Sequence, residues 1–291
     1  MSMHVRQLTP AIGAVIEGID LAQGVSADLA AALRQELLKH QVLFFEDQDL
    51  TPVQHRDFAA RFGALHTHPL YPGVPDAPEL FTLDNHAGNP TDNDAWHTDV
   101  TFIETPPMGS ILHARLLPPN GGDTIWANMK AAYEALSPTL RGFLESLDAV
   151  HDFARGFPQR GIVANAAGAD KHAKALAEHP PVLHPVVRTH PETGEDALFV
   201  NFGFTERIKG LRRKESDAIL NMLFEHVTRP EFQVRWRWTP NALAFWDNRI
   251  TQHYAVNDYL PNRRVMIRAT ILGERPYHRS RKPAAALAAA E

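Results

Sequence analysis

The sequence predicts a mainly β protein with flanking helices, built as a sandwich or barrel. Short β-rich runs recur along all 291 residues, few stretches carry the apolar spacing of a helix, and no repeat or linker divides the chain. The expectation is one domain over residues 1–291, fraying from about residue 280 into an alanine-rich tail.

Residues 3–25 set Ile12, Val15, Ile16 and Ile19 among Gly13 and Gly18, a short strand with turns. Ser26 then caps a helix whose Leu29, Leu33 and Leu37 form one apolar stripe through about His40. Val42-Leu43-Phe44-Phe45, bounded by Asp47 and Asp49, reads as a buried strand, and Thr51-Pro52 opens a helix to about Phe62. Gly63 to Pro90 is rich in Pro, Gly and His around one strand-like run, Leu80 to Leu83, and reads as a loop suited to substrate contacts. An extended stretch at 95–103 and a strand at 110–114 follow, and Gly121-Gly122 then turns into Asp123 to Trp126. Helices begin near Met129 and at Ser137-Pro138, the second reaching about Leu147. Residues 155–180 mix Gly, Ala, Lys and His, a loop with a weak helix and a candidate lid. Two apolar runs between Val182 and Val200, split by Thr189 to Gly194, predict a hairpin. After Glu215-Ser216, Ile219, Leu220, Leu223, Phe224 and Val227 share a helix face, and strands close the chain at 232–238, 242–247 and 264–272.

Chemistry concentrates at Asn93-Asp94-Ala95-Trp96-His97-Thr98-Asp99-Val100-Thr101-Phe102. If residues 95–103 are extended, His97 and Asp99 at i and i+2 project to one side and can share a metal ion. The spacing alone is weak: H-x-[DE] occurs three times, near what 16 His and 34 acidic residues give by chance. His55-x-Asp57 lies on the helix opened by Thr51, where i and i+2 diverge, and His190-x-Glu192 runs into a turn. A surface His-Asp pair is the alternative reading at 97 and 99. A second imidazole, His253, would complete the 2-His-1-carboxylate set that suits non-haem Fe(II) and leaves positions open for substrates. Arg264 follows eleven residues later and Arg268 four beyond it, as anion clamps lining the same barrel would.

The segments W-H-T-D-V-T-F at 96–102, G-G-D-T at 121–124, W-D-N-R-x-T-Q-H-Y-A at 246–255 and R-R-V-M-x-R-A-T-I-L-G at 263–273 resemble the Fe(II)/2-oxoglutarate-dependent dioxygenases of the taurine dioxygenase family. The likeness runs over about residues 8–277 and implies a double-stranded β-helix, or jelly roll. It implies that His97, Asp99 and His253 bind Fe(II), and that 2-oxoglutarate and O2 are cosubstrates. The distal carboxylate of 2-oxoglutarate is then held by Arg264 and the Thr124 hydroxyl, leaving Arg263 for a surface ion pair. Fe(II), one carboxylate and dianionic 2-oxoglutarate sum to about one negative charge, which Arg264 neutralises, so an anionic substrate group wants a further fixed cation.

By the same resemblance Arg268 binds a sulfonate, helped by His68 and the main-chain amide of Val100. Tyr71 and Asn93 lie near an amine, and Phe157 and Phe204 wall a short carbon chain, with core packing the alternative for the two phenylalanines. Taurine is the implied substrate, hydroxylated at the sulfonate-bearing carbon to release sulfite and aminoacetaldehyde, with succinate and CO2 as coproducts. A homodimer or homotetramer is implied as well. Gly156 and Phe202 stand where the family's pattern suggests polar residues. The first is expected to loosen the pocket wall and the second to make it more apolar, so both bear on substrate preference.

Composition narrows the alternatives. The absence of cysteine excludes disulfides, thiolate nucleophiles and Cys-ligated metals. A net charge of -5 without clustered basic residues gives no nucleic-acid surface, and neither a GxxxxGK[ST] nor a GxGxxG motif supports a nucleotide. The N-terminus lacks the apolar core of a signal peptide, and no apolar run approaches the roughly 20 residues of a membrane span, so a cytoplasmic protein is expected. The competing readings are a sibling dioxygenase acting on another small sulfonate, an alkyl sulfate or an aryloxyalkanoate and, more distantly, a non-redox metal-binding isomerase or sensor on the same fold.

Overall fold

Strands carry most of the tertiary structure, and they fall into two compact units, each assembled from separate stretches of sequence. The structure is a computed structural model and describes residues 3–67, 73–89, 94–157 and 166–281. One unit is formed by Met1–Ala95, Pro107–Asn128 and Pro230–Gly273, the other by Trp96–Pro106, Met129–Arg229 and Glu274–Glu291.

In the first unit eight strands form a sheet in the order His4–Gln7, Ala14–Glu17, Val42–Phe45, Leu243–Asp247, Gly109–Leu116, Arg264–Ile271, Ala77–Asn85, Gly73–Val74. A second sheet pairs Thr124–Asn128 with Gln233–Trp236 on one side and Thr251–Ala255 on the other. The period-2 alternation of side chains explains why the central strands read as unbroken apolar runs. Leu43, Phe45, Leu243, Phe245 and Ile111 pack with Leu33, Leu37, Phe58 and Phe62 of the helical layer. Their neighbours Val42, Phe44, Ala244, Trp246 and Leu112 pack instead with Trp126, Val234, Trp236 and Trp238. Two sheets sandwiching this aromatic cluster make the jelly roll the resemblance implied. Phe44 sits at its centre, stacked on Trp236 at 4.2 Å between ring centroids.

The helical caps are where the sequence places them. Ser26 Oγ accepts from Leu29 N at the start of Ala27–His40, and Thr51 and Gln54 form a capping box on Pro52–Ala60.

In the second unit Asp148–His151 lies between Thr205–Ile208 and Val182–Pro185. The predicted hairpin is present, with Val187–Thr189 antiparallel to Asp196–Leu198. The candidate lid, residues 155–180, takes in the end of a short helix, Phe153–Gly156, and all of a longer one, Ala166–Glu178. The amphipathic helix spans Arg213–Val227 and buries Leu220, Leu223 and Val227, as its spacing requires.

Two expectations need correction. Residues 99–102 form a turn, so the strand expected over 95–103 does not exist. The strand Thr251–Ala255 was not predicted, because Thr251, Gln252 and His253 are polar residues that the fold nevertheless buries. Among the described residues no helix is long and apolar enough to cross a membrane.

Candidate active site

Two residues after His97 the chain enters a turn over 99–102, in which Val100 adopts φ 55°. A β-branched residue in that region is strained and needs an outside hold. Thr101 supplies it. Fully buried, its hydroxyl pairs with His151 Nδ1 at 2.9 Å and accepts from Asn201 Nδ2 at 3.1 Å. The Thr101 and Ile103 carbonyls accept from His184 Nε2 at 2.9 and 3.0 Å, which assigns the proton of that ring to Nε2. Burial drives both imidazoles towards the neutral form, His184 down to about 4 and His151 well below the ordinary range, with the neighbouring His184 a further deterrent to charge on His151. The turn still delivers the pair the spacing suggested: His97 Nε2 lies 3.6 Å from Asp99 Oδ1, both side chains buried.

His253 arrives by a different device. In Asp247-Asn248-Arg249 the Arg249 guanidinium donates to both Asp247 carboxylate oxygens, at 2.9 and 2.6 Å, with both residues buried. Arg249 N donates to Asp247 Oδ1, and Thr251 Oγ1 donates to the Asp247 carbonyl. This closed turn starts the strand Thr251–Ala255, in which His253 pairs with Trp126 and packs its ring 5.0 Å from Trp246. Among the described residues, His97, Asp99 and His253 form the one group able to hold a metal ion, each offering a ligand atom within 4.8 Å of the others. Two imidazoles and a carboxylate are a donor set that fits Fe(II).

Arg264 begins its strand in a buried position, and its Nε and Nη2 have no hydrogen-bond partner among the described residues. Burial lowers its pKa to about 10, opposed by Tyr259 and Asp123, so the group stays cationic at neutral pH. Its guanidinium lies over Trp238 at 5.8 Å, and Trp238 Nε1 donates to Thr124 Oγ1 at 3.0 Å. Gly122 lets the backbone pass this arginine, since a Cβ there would meet Arg264 Cδ at 3.1 Å. A buried guanidinium with two open donor nitrogens, lying over the tryptophan that holds the Thr124 hydroxyl, fits the distal carboxylate of a 2-oxoacid. Arg263 instead forms a bidentate surface pair with Asp84, at 2.7 and 2.6 Å. Trp238 escaped the sequence reading, although its alternation with Trp236 was available as a signal.

Arg268 shares the strand with Arg264, lies over Trp246 and Phe81, and donates from Nη2 to Ser110 Oγ at 2.7 Å. Phe204, Phe102 and Phe153 are buried in one cluster, with Val100 and Phe157 packed against it. The Phe204 ring lies 6.4 Å from the ring of His97. His68, Tyr71 and Asn93 lie outside the described residues.

Gly156 does not loosen this wall. A Cβ there would lie 2.2 Å from Phe204 Cε1, so the phenyl ring already fills the space. Phe202 does not join the apolar cluster either: it is 53% exposed and rests against Arg155 and Phe224.

Comparison with known proteins agrees with this geometry. A family profile described as taurine catabolism dioxygenase TauD, TfdA family matches residues 4–270. The chain is 39% identical over 275 residues to the alkylsulfatase of Acinetobacter baylyi, covering 94% of this chain and 86% of that protein. It is 38% identical over 278 residues to the alpha-ketoglutarate-dependent sulfate ester dioxygenase of Pseudomonas putida, covering 95% and 91%. Its fold matches the crystal structure of a taurine dioxygenase from Burkholderia xenovorans with a TM-score of 0.84 at 37% identity, covering 99% of this chain and 97% of that one. With both the His-Asp-His group and the full-length match in hand, the chain belongs to the TauD/TfdA family and is a dioxygenase that uses Fe(II), 2-oxoglutarate and O2.

Proposed function

We propose that this enzyme hydroxylates the carbon bearing the sulfur oxyanion group of a small organosulfur compound, with an alkyl sulfate ester preferred over taurine. The observation that carries the preference is the apolar wall next to His97, where Phe204 lies 6.4 Å from the imidazole ring and is backed by Phe102, Phe153, Phe157 and Val100. Two relatives at 38 and 39% identity, named for alkyl sulfate or sulfate ester chemistry, support the same reading. Taurine, the narrower reading of the sequence, has support from the matched taurine dioxygenase structure.

In this assignment His97, Asp99 and His253 hold the iron, and Arg264 with Thr124 holds the distal carboxylate of 2-oxoglutarate. Arg268, steadied by Ser110, holds the sulfate or sulfonate oxygens, helped by the amide of Val100. Ferrous iron with 2-oxoglutarate and O2 supplies the oxidising equivalents, one oxygen atom going to the substrate carbon and the other to succinate, with release of CO2. The chain's own part is to fix that C–H bond in place through Arg268 and the phenylalanines and to keep water out. The products then separate by simple chemistry. A carbon bearing both a hydroxyl and a sulfate ester oxygen collapses to an aldehyde and sulfate, whereas one bearing a hydroxyl and a sulfonate collapses to an aldehyde and sulfite.

The test is turnover with Fe(II) and 2-oxoglutarate on a panel of n-alkyl sulfates, alkanesulfonates, taurine and an aryloxyacetate, quantifying sulfate, sulfite, phenol and succinate. Sulfate release coupled to succinate, with alkyl sulfates favoured in kcat/KM, is the expected result. Preferred sulfite release from taurine would return the assignment to taurine, and phenol release would overturn the sulfur reading.

A further inference from the structure

We infer that Gly156, through the ring of Phe204, sets the length of carbon chain the enzyme accepts; this rests on the organosulfur reading above. Gly156 closes the helix Phe153–Gly156 and is not among the residues at positive φ, so its backbone does not require glycine, the poorer helix former. What requires it is Phe204. A Cβ at 156 would lie 2.2 Å from Phe204 Cε1, 2.6 Å from Cδ1 and 3.2 Å from the carbonyl oxygen of Gly203. Any side chain at 156 therefore displaces the ring or its backbone.

The backbone cannot yield easily. Phe204 N donates to Asn201 Oδ1 at 2.9 Å, and Asn201 Nδ2 donates to Thr101 Oγ1 at 3.1 Å, two residues from Asp99. Gly203 N donates to the Trp96 carbonyl at 3.2 Å, and a Cβ at Gly203 would lie 2.9 Å from the Cβ of His97. Both ends of this loop are thus tied to the turn that carries His97 and Asp99. The ring must move instead, and on the cluster side it already packs against Phe102 and Phe157, with centroids at 5.1 and 6.0 Å. The remaining ring neighbour is His97, whose centroid at 6.4 Å is the farthest of the three, and the ring yields in that direction. Without a side chain at 156 the ring stays back and leaves length for a chain; with one, it comes forward and shortens that space.

The experiment compares wild type, Gly156→Ala, Phe204→Ala and the double variant on ethyl to octyl sulfates. It reads kcat/KM for each chain length, and calorimetric binding of alkyl sulfates and alkanesulfonates of the same lengths to the Fe(II) and 2-oxoglutarate complex without O2. Gly156→Ala is expected to lower the octyl-to-ethyl ratio by at least about tenfold, as one misplaced methyl group in an apolar pocket can. The dissociation constant for 2-oxoglutarate should move less than about twofold, and Phe204→Ala in the Gly156→Ala background should recover the long chains. An unchanged ratio, an equal loss at every length or no recovery in the double variant overturns the inference. Should Gly156→Ala not fold, the double variant and Phe204→Ala carry the comparison: equal selectivity supports the inference, and a further shift on adding alanine at 156 defeats it. Wild type that binds alkanesulfonates by length yet turns over no alkyl sulfate or sulfonate would sink the proposed function alone.

Discussion

Arg264 holds a charge 5% exposed whose Nε and Nη2 lack described partners, which is costly unless an anion completes it. Arg264→Met keeps much of the aliphatic volume and removes the charge. The 2-oxoglutarate-free protein should then be as stable as wild type or more so, while 2-oxoglutarate binding weakens by about 3 kcal/mol, roughly a hundredfold, from the loss of charge-assisted hydrogen bonds. Thermal unfolding and calorimetric titration of the same samples would show it, and wild-type affinity in the variant would remove Arg264 from the clamp. Lysine should not rescue binding, because a point charge on a flexible stem cannot present the planar pair of donors. The working range follows from the pKa. With burial lowering it to about 10, the cation is present through neutral pH, and this group should cause a loss of 2-oxoglutarate affinity only as pH rises towards 10.

At the scale of the element, the turn after His97 is held by groups far away in sequence. Thr101→Val preserves shape but removes the hydroxyl that pairs with His151 Nδ1 and accepts from Asn201 Nδ2. Leaving those buried groups unmatched should cost about 1–3 kcal/mol. Fe(II) affinity should fall along with the unfolding midpoint, since Asp99 sits on the released turn; a variant that loses stability but binds Fe(II) as wild type would show the turn does not position the ligands. The same element shows why the sequence misled: Val100, Thr101 and Phe102 all favour strands, while the partners that bend them, His151, His184 and Asn201, lie far downstream. Elements set by local chemistry were legible, among them the caps at Ser26 and Thr51 and the two-faced burial of Val42–Phe45. The set His97, His253 and Arg264 was legible by a different route, since the spacing alone was weak and the resemblance of their segments to the family carried the reading. Trp238 and Ser110, which steady Thr124 and Arg268, carry no such motif and emerged only from the contacts.

Across the molecule six of the buried histidines fall into two sets that composition cannot separate. His97 and His253 join Asp99, whereas His55 and His113 in one unit and His151 and His184 in the other are buried without belonging to that group. Burial is the leading cause that lowers each of these four, His55 to about 3 and His113 and His184 to about 4. Their folded values lie below the roughly 6.5 of an unfolded histidine, so the unfolded chain binds more protons between these limits. Stability is therefore full above about pH 6.5 and declines as pH falls, by up to about 1.4 kcal/mol per pH unit for each such histidine, until the folded values are reached. The unfolding midpoint of the metal-free protein should drop steeply between pH 6.5 and 5, before most carboxylates begin to titrate. His113→Gln removes one titrating ring while keeping a donor for the Gln48 carbonyl, which His113 Nε2 meets at 2.9 Å. Its midpoint should lose less on acidification than that of wild type, even if it starts lower at pH 7.5. Parallel curves for the two proteins across that window would show that His113 is not among the groups that make the fold acid-sensitive.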